Sequence, residues 1–475
     1  MNLIIARLDG DKINDSRYRN YIERLVKDGI GGFVVFGGDY SEIKKFIFHI
    51  QKMVSNPLII ASDIERGVGQ QIKGGTLIPS QMGIVAGFNL KQEKNELKTL
   101  YSIVIKEAFD VGINLALIPV LDVNTEPQNP IISTRAFSDD PEVVSKYGRF
   151  VIKFFESYGL LTCGKHFPGH GGTQKDSHLE LPVLKDDIEI HLKPFKEAIK
   201  SKVSSIMVGH IVASDIYPAS LSEKIIDDLL KQKLGFKGTV LTDAMNMKAL
   251  RDYKNPHALA LMAGADVILH PEQPYEVLEE IKLAYERGMI TERRIKEALR
   301  KINNLRKKIK KILPTIVTYE KKSLVNRAFK KTVTIIKNEI DDLNRRQIIP
   351  YLTEGYSDEI KRAFQNYFGS VYDLKDYKPS KATPLIATFT NIKAAGKEYM
   401  LKKHEETTIR KIISNNDAVV VSFGNPYILR PFRKAKTVIA VYDSNELAVS
   451  AFIESFSEGF KIKGRLPVKI EWIDE

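Results

Sequence analysis

Short apolar runs recur along the first part of the chain, separated by amphipathic stretches. They are LIIARL (3–8), GFVVFGG (32–38), PLIIASD (57–63), NLALIPVLDV (114–123), GLLTCGKH (159–166), SSIMVGH (204–210), GTVLTDA (238–244) and ADVILH (265–270). Each run is nearly continuous in aliphatic residues, without strict alternation, which is the pattern of a strand buried on both faces. The stretches between them have the length and periodicity of crossover helices. Eight such units predict a (β/α)8 barrel over residues 1–312. Beyond Pro314 the pattern resets, and residues 313–326, with the polar tract TYEKKS (318–323), are expected to be a linker. The runs TVTIIK (332–337), LIATFT (385–390), AVVVSFG (418–424), TVIAVYD (437–443) and PVKI (467–470) then alternate with helical stretches such as DEIKRAFQNYF (358–368) and ELAVSAFIESF (446–456). They predict a smaller α/β sandwich domain over 327–475.

Charge changes this picture little. The net charge is +13, and the basic residues are densest between Arg293 and Lys331. There, however, Ile295, Ala298, Leu299, Ile302, Leu305, Ile309 and Ile312 recur at helical spacing, so the lysines and arginines form the wet face of an amphipathic helix. No interleaved aromatics suggest stacked bases, and no nucleic-acid partner is expected. No stretch approaches the roughly 20 apolar residues that span a bilayer, so no membrane partner is expected either. The opening MNLIIARLDGD has too short an apolar run for a secretion signal. Cys163 is the single cysteine, which excludes a disulfide within the chain and suits a reducing, cytoplasmic compartment; it reads as a buried structural thiol.

The chemistry gathers at strand ends. Asp63, Asp122, Lys165 with His166, His210, Asp243 and His270 all fall at or just past the C-terminal ends of predicted strands, the face on which barrels build their sites. A site so lined with charge and hydrogen-bond donors suits a polyhydroxylated small molecule. The densest stretch is KHFPGHGGTQKDSHLELP (165–182), where Gly169, Gly171 and Gly172, with Gly164 just before it, surround Pro168, exclude a helix or strand interior and leave a loop. Asp176 and His178, two apart, can form a proton-transfer dyad in which the carboxylate orients the imidazole. A metal site built from His166, His170 and His178, or a merely solvated polar loop, are the alternatives from the loop alone. The spacing of those histidines, four and eight apart, fits a helix face that Pro168 and the glycines forbid. No metal or other cofactor is expected.

Together these segments resemble glycoside hydrolase family 3, specifically its β-N-acetylhexosaminidase branch, along essentially the whole chain. KHFPGHGGTQKDSH is similar to that branch's loop, whose Asp-x-His part the family's β-glucosidases lack. GTVLTDAMNM (238–247) resembles the nucleophile strand, and VGINLALIPVLDVN (111–124), STRAFSDDP (133–141) and HIVASDIYPASLS (210–222) match the barrel's middle part. RAFKKTVTIIKNE (327–339) and KGRLPVKI (463–470) resemble the ends of the family's C-terminal α/β domain. The resemblance implies a retaining exo-β-N-acetylglucosaminidase, with Asp243 as nucleophile and His178, paired with Asp176, as acid/base. Asp63, Arg135, Lys165, His166 and His210 would bind the sugar. Peptidoglycan fragments or chitin oligosaccharides are the implied substrates. A phosphorylase using the same covalent intermediate, or a β-glucosidase, are the alternatives. Two positions depart from the family pattern: Gln71 stands about where a substrate-binding arginine is usual, and Gly172 where the loop commonly has an aspartate.

Overall fold

Each of the eight apolar runs becomes a strand in the computed structural model, which describes residues 1–213, 215–309, 321–391, 399–461 and 464–473. These are β1 (Ile4–Asp9), β2 (Gly32–Phe36), β3 (Ile59–Ser62), β4 (Leu115–Ala116), β5 (Leu161–Phe167), β6 (Ser205–Val208), β7 (Thr239–Thr242) and β8 (Ile268–Leu269). They form one parallel sheet in the order β7-β6-β5-β4-β3-β2-β1-β8. A parallel bridge between Leu241 and Val267 brings its two ends together, so the expected barrel is the observed one. β4 is shorter than its apolar run because Pro119 has no N–H to give the ladder. Pairing with β5 resumes at the bridge between Val120 and Lys165.

The chain forms two compact units, one of Met1–Leu77, Tyr101–Val123 and Pro141–Val317, the other of Ile78–Leu100, Asn124–Asp140 and Thr318–Glu475. In the first, Ile5, Val34, Ala61, Cys163, Leu241 and their neighbours pack into the barrel interior. Side chains on a strand alternate with a period of two. The next inward positions towards the C-terminal mouth are therefore Arg7, Phe36, Asp63, Lys165 and Asp243. An apolar plug below and a polar layer above follow from the same alternation. The amphipathic helix runs from Glu292 to Lys308 and buries Ala298, Ile302 and Leu305, as its periodicity predicts. Ile312 lies outside the described residues. Two basic residues of that helix leave the wet face: Arg294 pairs with the buried Asp266 at 2.7 Å, and the buried Arg306 donates to Asn2 Oδ1 at 2.9 Å and to the carbonyls of Gly31 and Pro57 at 3.0 and 3.1 Å. Arg306 caps carbonyls at the N-terminal side of β2 and β3, where a barrel invests in stability.

The second unit holds a six-stranded sheet ordered β11-β10-β12-β13-β14-β9, parallel except for β9 against β14. Its strands are β9 (Thr334–Asn338), β10 (Ile348–Leu352), β11 (Tyr372–Asp373), β12 (Thr383–Phe389), β13 (Val419–Phe423) and β14 (Thr437–Val441). Helices Asp358–Phe368 and Glu446–Ser457 stand where their apolar spacing puts them. Phe364 and Phe452 from these helices meet Phe423 of β13 edge-on, at 6.2 and 5.5 Å between ring centroids. One expectation needs correction. PVKI (467–470) is not a strand: the carbonyl of Pro467 accepts from Ser138 Oγ at 2.5 Å and the Lys469 N–H donates to Asp139 Oδ2 at 2.7 Å, so side chains satisfy the backbone that a strand would pair. Conversely β10 is a strand despite Pro350 at its centre. β11 pairs only with Tyr351 and Leu352, which leaves the proline at an open edge where its missing N–H costs no ladder bond. Among the described residues no helix is long and apolar enough to cross a membrane.

Candidate active site

The polar layer at the barrel mouth is organised by ion pairs between strands far apart in sequence. Lys165, 1% exposed, extends its ammonium to Asp63 Oδ1 at 2.5 Å and to Glu65 Oε1 at 2.7 Å. A lysine buried this deeply keeps its charge only because two carboxylates compensate the lost water. Next to it, the fully buried Asp122 accepts from His166 Nδ1 at 2.7 Å and from the His170 N–H at 2.6 Å. Burial alone would raise the Asp122 carboxyl, but His166 and then His170 outweigh it and hold it below the usual carboxylate range. Because an ionised carboxylate can only accept, the His166 proton sits on Nδ1 and its Nε2 points away from that bond.

The loop after β5 carries the expected dyad. Asp176 Oδ1 accepts from both the backbone N–H of His178, at 2.8 Å, and its Nδ1, at 2.7 Å. The same reasoning puts the ring proton on Nδ1, and His178 Nε2 has no protein partner among the described residues. Asp176 is buried, whereas the His178 side chain is 28% exposed, so the pair has a sheltered orienter and an accessible ring. His170 sits deeper: Thr173 Oγ1 lies 2.7 Å from its Nδ1 and Ser177 Oγ 3.2 Å from its Nε2, so it ties the loop to itself.

Asp243 follows β7, 7% exposed, with Oδ1 accepting from the Ala244 N–H at 2.8 Å. Burial would raise its carboxyl, yet His166, His210 and His178, in that order, together with the Ala244 N–H, bring it down to about 2. The nearby imidazoles and this carboxylate thus share one electrostatic site. His210 is fully buried, and both its nitrogens are engaged, Nδ1 with Ser220 Oγ at 2.7 Å and Nε2 with the Ala244 carbonyl at 3.1 Å. It braces the peptide that follows Asp243. His270 joins the same field: burial, then Arg7, pulls its ring to about 4, while Asp63 and Asp243 oppose. Cys163, beneath this layer, is a buried thiol pushed by burial up to about 12.

Arg135 lies in the second unit, on the turn Ser133–Arg135, where its Nη1 donates to the Ile131 carbonyl at 3.2 Å. Gln71 accepts from the Gly37 N–H through its carbonyl at 3.1 Å. His166, His170 and His178 are drawn to separate partners. Among the described residues, no group of three or more His, Cys, Asp or Glu is arranged to hold a metal ion. The sequence placed Asp122 among the polar strand ends without giving it a specific task, and Glu65 was not singled out. Their signals were present: Glu65 stands two positions after Asp63, and Asp122 ends the fourth apolar run.

The buried His170 has a measurable consequence. Burial pulls its ring from the ordinary 6.5 to about 4, against the pull of Asp122. The unfolded chain therefore takes up a proton that the folded ring refuses, so this stability is intact above pH 6.5 and drains as pH falls towards 4. For this one group the loss comes to about 3 kcal/mol. Urea unfolding at neutral and mildly acid pH should show the slope, and His170→Asn should flatten it. An unchanged slope in that variant would remove His170 as its source.

Residues 6–305 match the model of the Glycosyl hydrolase family 3 N terminal domain. The chain is 34% identical over 281 residues to Beta-hexosaminidase A of Pseudoalteromonas piscicida, an alignment that covers 52% of this chain and 47% of that one. It thus spans about half the length of that relative. Two solved structures share its fold. A β-glucoside phosphorylase, BglX, bound to 2FGlc superposes with a TM-score of 0.87 at 22% identity, over 98% of this chain and 93% of that one. A glycoside hydrolase family 3 β-N-acetylglucosaminidase from Paenibacillus sp. str. FPU-7 superposes with a TM-score of 0.82 at 23% identity, over 100% and 98%. At these identities the two show the fold alone.

Proposed function

Because the chain belongs to glycosyl hydrolase family 3, we propose that it is a retaining exo-β-N-acetylglucosaminidase that removes terminal β-linked N-acetylglucosamine from peptidoglycan fragments or chitin oligosaccharides. The observation that carries this reading is the Asp176–His178 pair, hydrogen bonded at 2.7 Å with the far ring nitrogen unengaged, in the same field as the ionised Asp243. In the first half-reaction, the Asp243 carboxylate attacks the anomeric carbon as His178 Nε2 delivers a proton to the departing oxygen. In the second, the neutral imidazole takes a proton from water, which attacks the same carbon and frees Asp243. Asp176 keeps the ring in the tautomer that both steps need and stabilises its charged form.

The sugar itself would be held by Asp63, Lys165 and His166. His210 acts on Asp243 through the Ala244 peptide. The hexosaminidase name of the relative in Pseudoalteromonas piscicida supports the N-acetylglucosamine specificity. The lone buried thiol Cys163 is compatible with work in a reducing cytoplasm. A panel of aryl β-glycosides that differ at the 2-position tests the reading. The 2-acetamido sugar should be turned over fastest, and a clear preference for glucose would overturn it.

One observation favours a second reading. An imidazole repels an incoming anion less than a second carboxylate would, so inorganic phosphate can replace water in the second half-reaction. Glycosyl phosphate in place of the free sugar, in phosphate buffer, would identify a phosphorylase.

A further inference from the structure

The loop that carries Asp176 and His178 leans on the helix Ile188–Lys200. That helix presents His191 and Phe195, four residues apart and so on one face. Phe195 meets Phe167, the last residue of β5, edge-on at 5.2 Å between ring centroids. His191 lies against two glycines of the loop. A Cβ on Gly169 would stand 2.5 Å from His191 Cβ and 2.9 Å from its Cγ, and one on Gly172 would stand 2.4 Å from Asp186 Oδ2 and 3.0 Å from His191 Nε2. The loop backbone is thus pressed flush onto an imidazole and a carboxylate, in space that any side chain at 169 or 172 would fill.

Those two groups form a pair. His191 is fully buried, with Nε2 3.3 Å from Asp186 Oδ2, and its Nδ1 has no hydrogen-bond partner among the described residues. A buried nitrogen left bare costs stability that an apolar side chain of the same size would not. Packing alone therefore does not account for a histidine here. From Gly172 the contacts run on through Thr173 Oγ1 to His170, and from His170 Nε2 to Ser177 Oγ at 3.2 Å. Ser177 stands between Asp176 and His178.

We propose that Asp186 and His191 are a positioning pair: they seat the glycine turn of the loop and, through His170 and Ser177, aim the His178 ring at the bond to be broken. Neither touches the substrate, and the inference rests on the acid/base reading of His178. Proton transfer needs its heavy atoms within roughly 2.6–3.2 Å, and a misplacement on the order of 1 Å can cost up to 10²-fold. A loosened seat should therefore slow the steps that depend on His178 and leave the others alone.

The test compares Asp186→Ala with the wild type on N,N′-diacetylchitobiose, whose leaving sugar needs a proton, and on the 2,4-dinitrophenyl β-N-acetylglucosaminide, whose leaving group does not. Circular dichroism verifies the fold. On the disaccharide, kcat should fall roughly tenfold with KM nearly unchanged, while the rate of the dinitrophenolate burst should hold. Asp186→Asn, which keeps an acceptor for the His191 Nε2–H, should recover most of the loss. So should the double variant Asp186→Ala/Gly172→Asp, which returns a carboxylate from the loop side. Equal losses on both substrates, no loss on the disaccharide, or failure of both compensating variants to recover activity overturns the pair. His178→Ala, assayed in parallel, separates the two readings. If it shows no leaving-group dependence, the acid/base reading falls and takes the pair with it. If it does, and Asp186→Ala is unselective, only the pair falls.

Discussion

Asp243→Asn is expected to reduce turnover by roughly 10⁴-fold or more while the protein stays folded, a loss on the scale seen when a covalent nucleophile is removed. The amide keeps an oxygen to accept the Ala244 N–H, which Asp243 Oδ1 accepts at 2.8 Å, so the local turn survives. What disappears is the charge. His166, His210 and His178 overcome the effect of burial and hold this carboxyl at about 2, so it is an anion ready to attack at any pH where the protein functions. Titration of Asp243 should therefore leave no mark on the pH–rate profile above about pH 3. A 2-fluoro sugar should trap the ester, and peptide mapping should find it on Asp243. Label on any other carboxylate, or substantial turnover by the Asn variant, would take the nucleophile's role away from it.

His178→Ala should divide substrates by their leaving groups. A sugar aglycone leaves as a poor alkoxide and needs a proton, so glycosylation should slow by roughly 10²–10⁴-fold. A dinitrophenyl aglycone needs no proton, so its glycosylation should persist while water, without a base, fails to clear the intermediate. A pre-steady-state burst should then appear. Added azide or formate, which need no deprotonation, should restore turnover. Asp176→Asn should shift rates in the same direction but less, because it removes the charge that the His178 ring meets at 2.7 Å and keeps the ring itself. An equal slowing of both substrate types with no rescue by azide would mean that His178 only binds or orders the loop. His170 is then a poor substitute, since both its nitrogens are engaged at 2.7 and 3.2 Å and burial holds it neutral down to about pH 4.

The readings that went astray did so for local reasons. PVKI (467–470) has a strand's composition, yet the carbonyl of Pro467 and the N–H of Lys469 are taken by Ser138 and Asp139, more than three hundred residues earlier in the chain. A scan of composition cannot see such partners. No apolar run was named at β10, whose central Pro350 is tolerated because a proline's cost depends on whether its N side faces a neighbour, and that is a property of the sheet. His210, a polar strand end expected at the sugar, engages both ring nitrogens within the protein, with Ser220 Oγ and the Ala244 carbonyl. A strand end supplies position, and the neighbours decide whether the side chain faces outward.

The sequence alone determined what depends on short spacing. Eight apolar runs and the crossovers between them specify the barrel, and the two-residue period carries four of the buried runs into Arg7, Asp63, Lys165 and Asp243 at the mouth. The Asp176–His178 bond belongs here too, since a carboxylate two residues upstream reaches both the backbone N–H and the ring without help from the rest of the fold. Only the tertiary structure decided which charges meet. Lys165 finds Asp63 across 102 positions of sequence, and His166 finds Asp122 across 44. Asp186 comes to lie over Gly172, and three imidazoles gather round Asp243. Periodicity fixes the face and height of a side chain on its own strand. Closure and stagger of the barrel fix which strand end stands opposite, and electrostatic energy depends on that separation, not on distance along the chain.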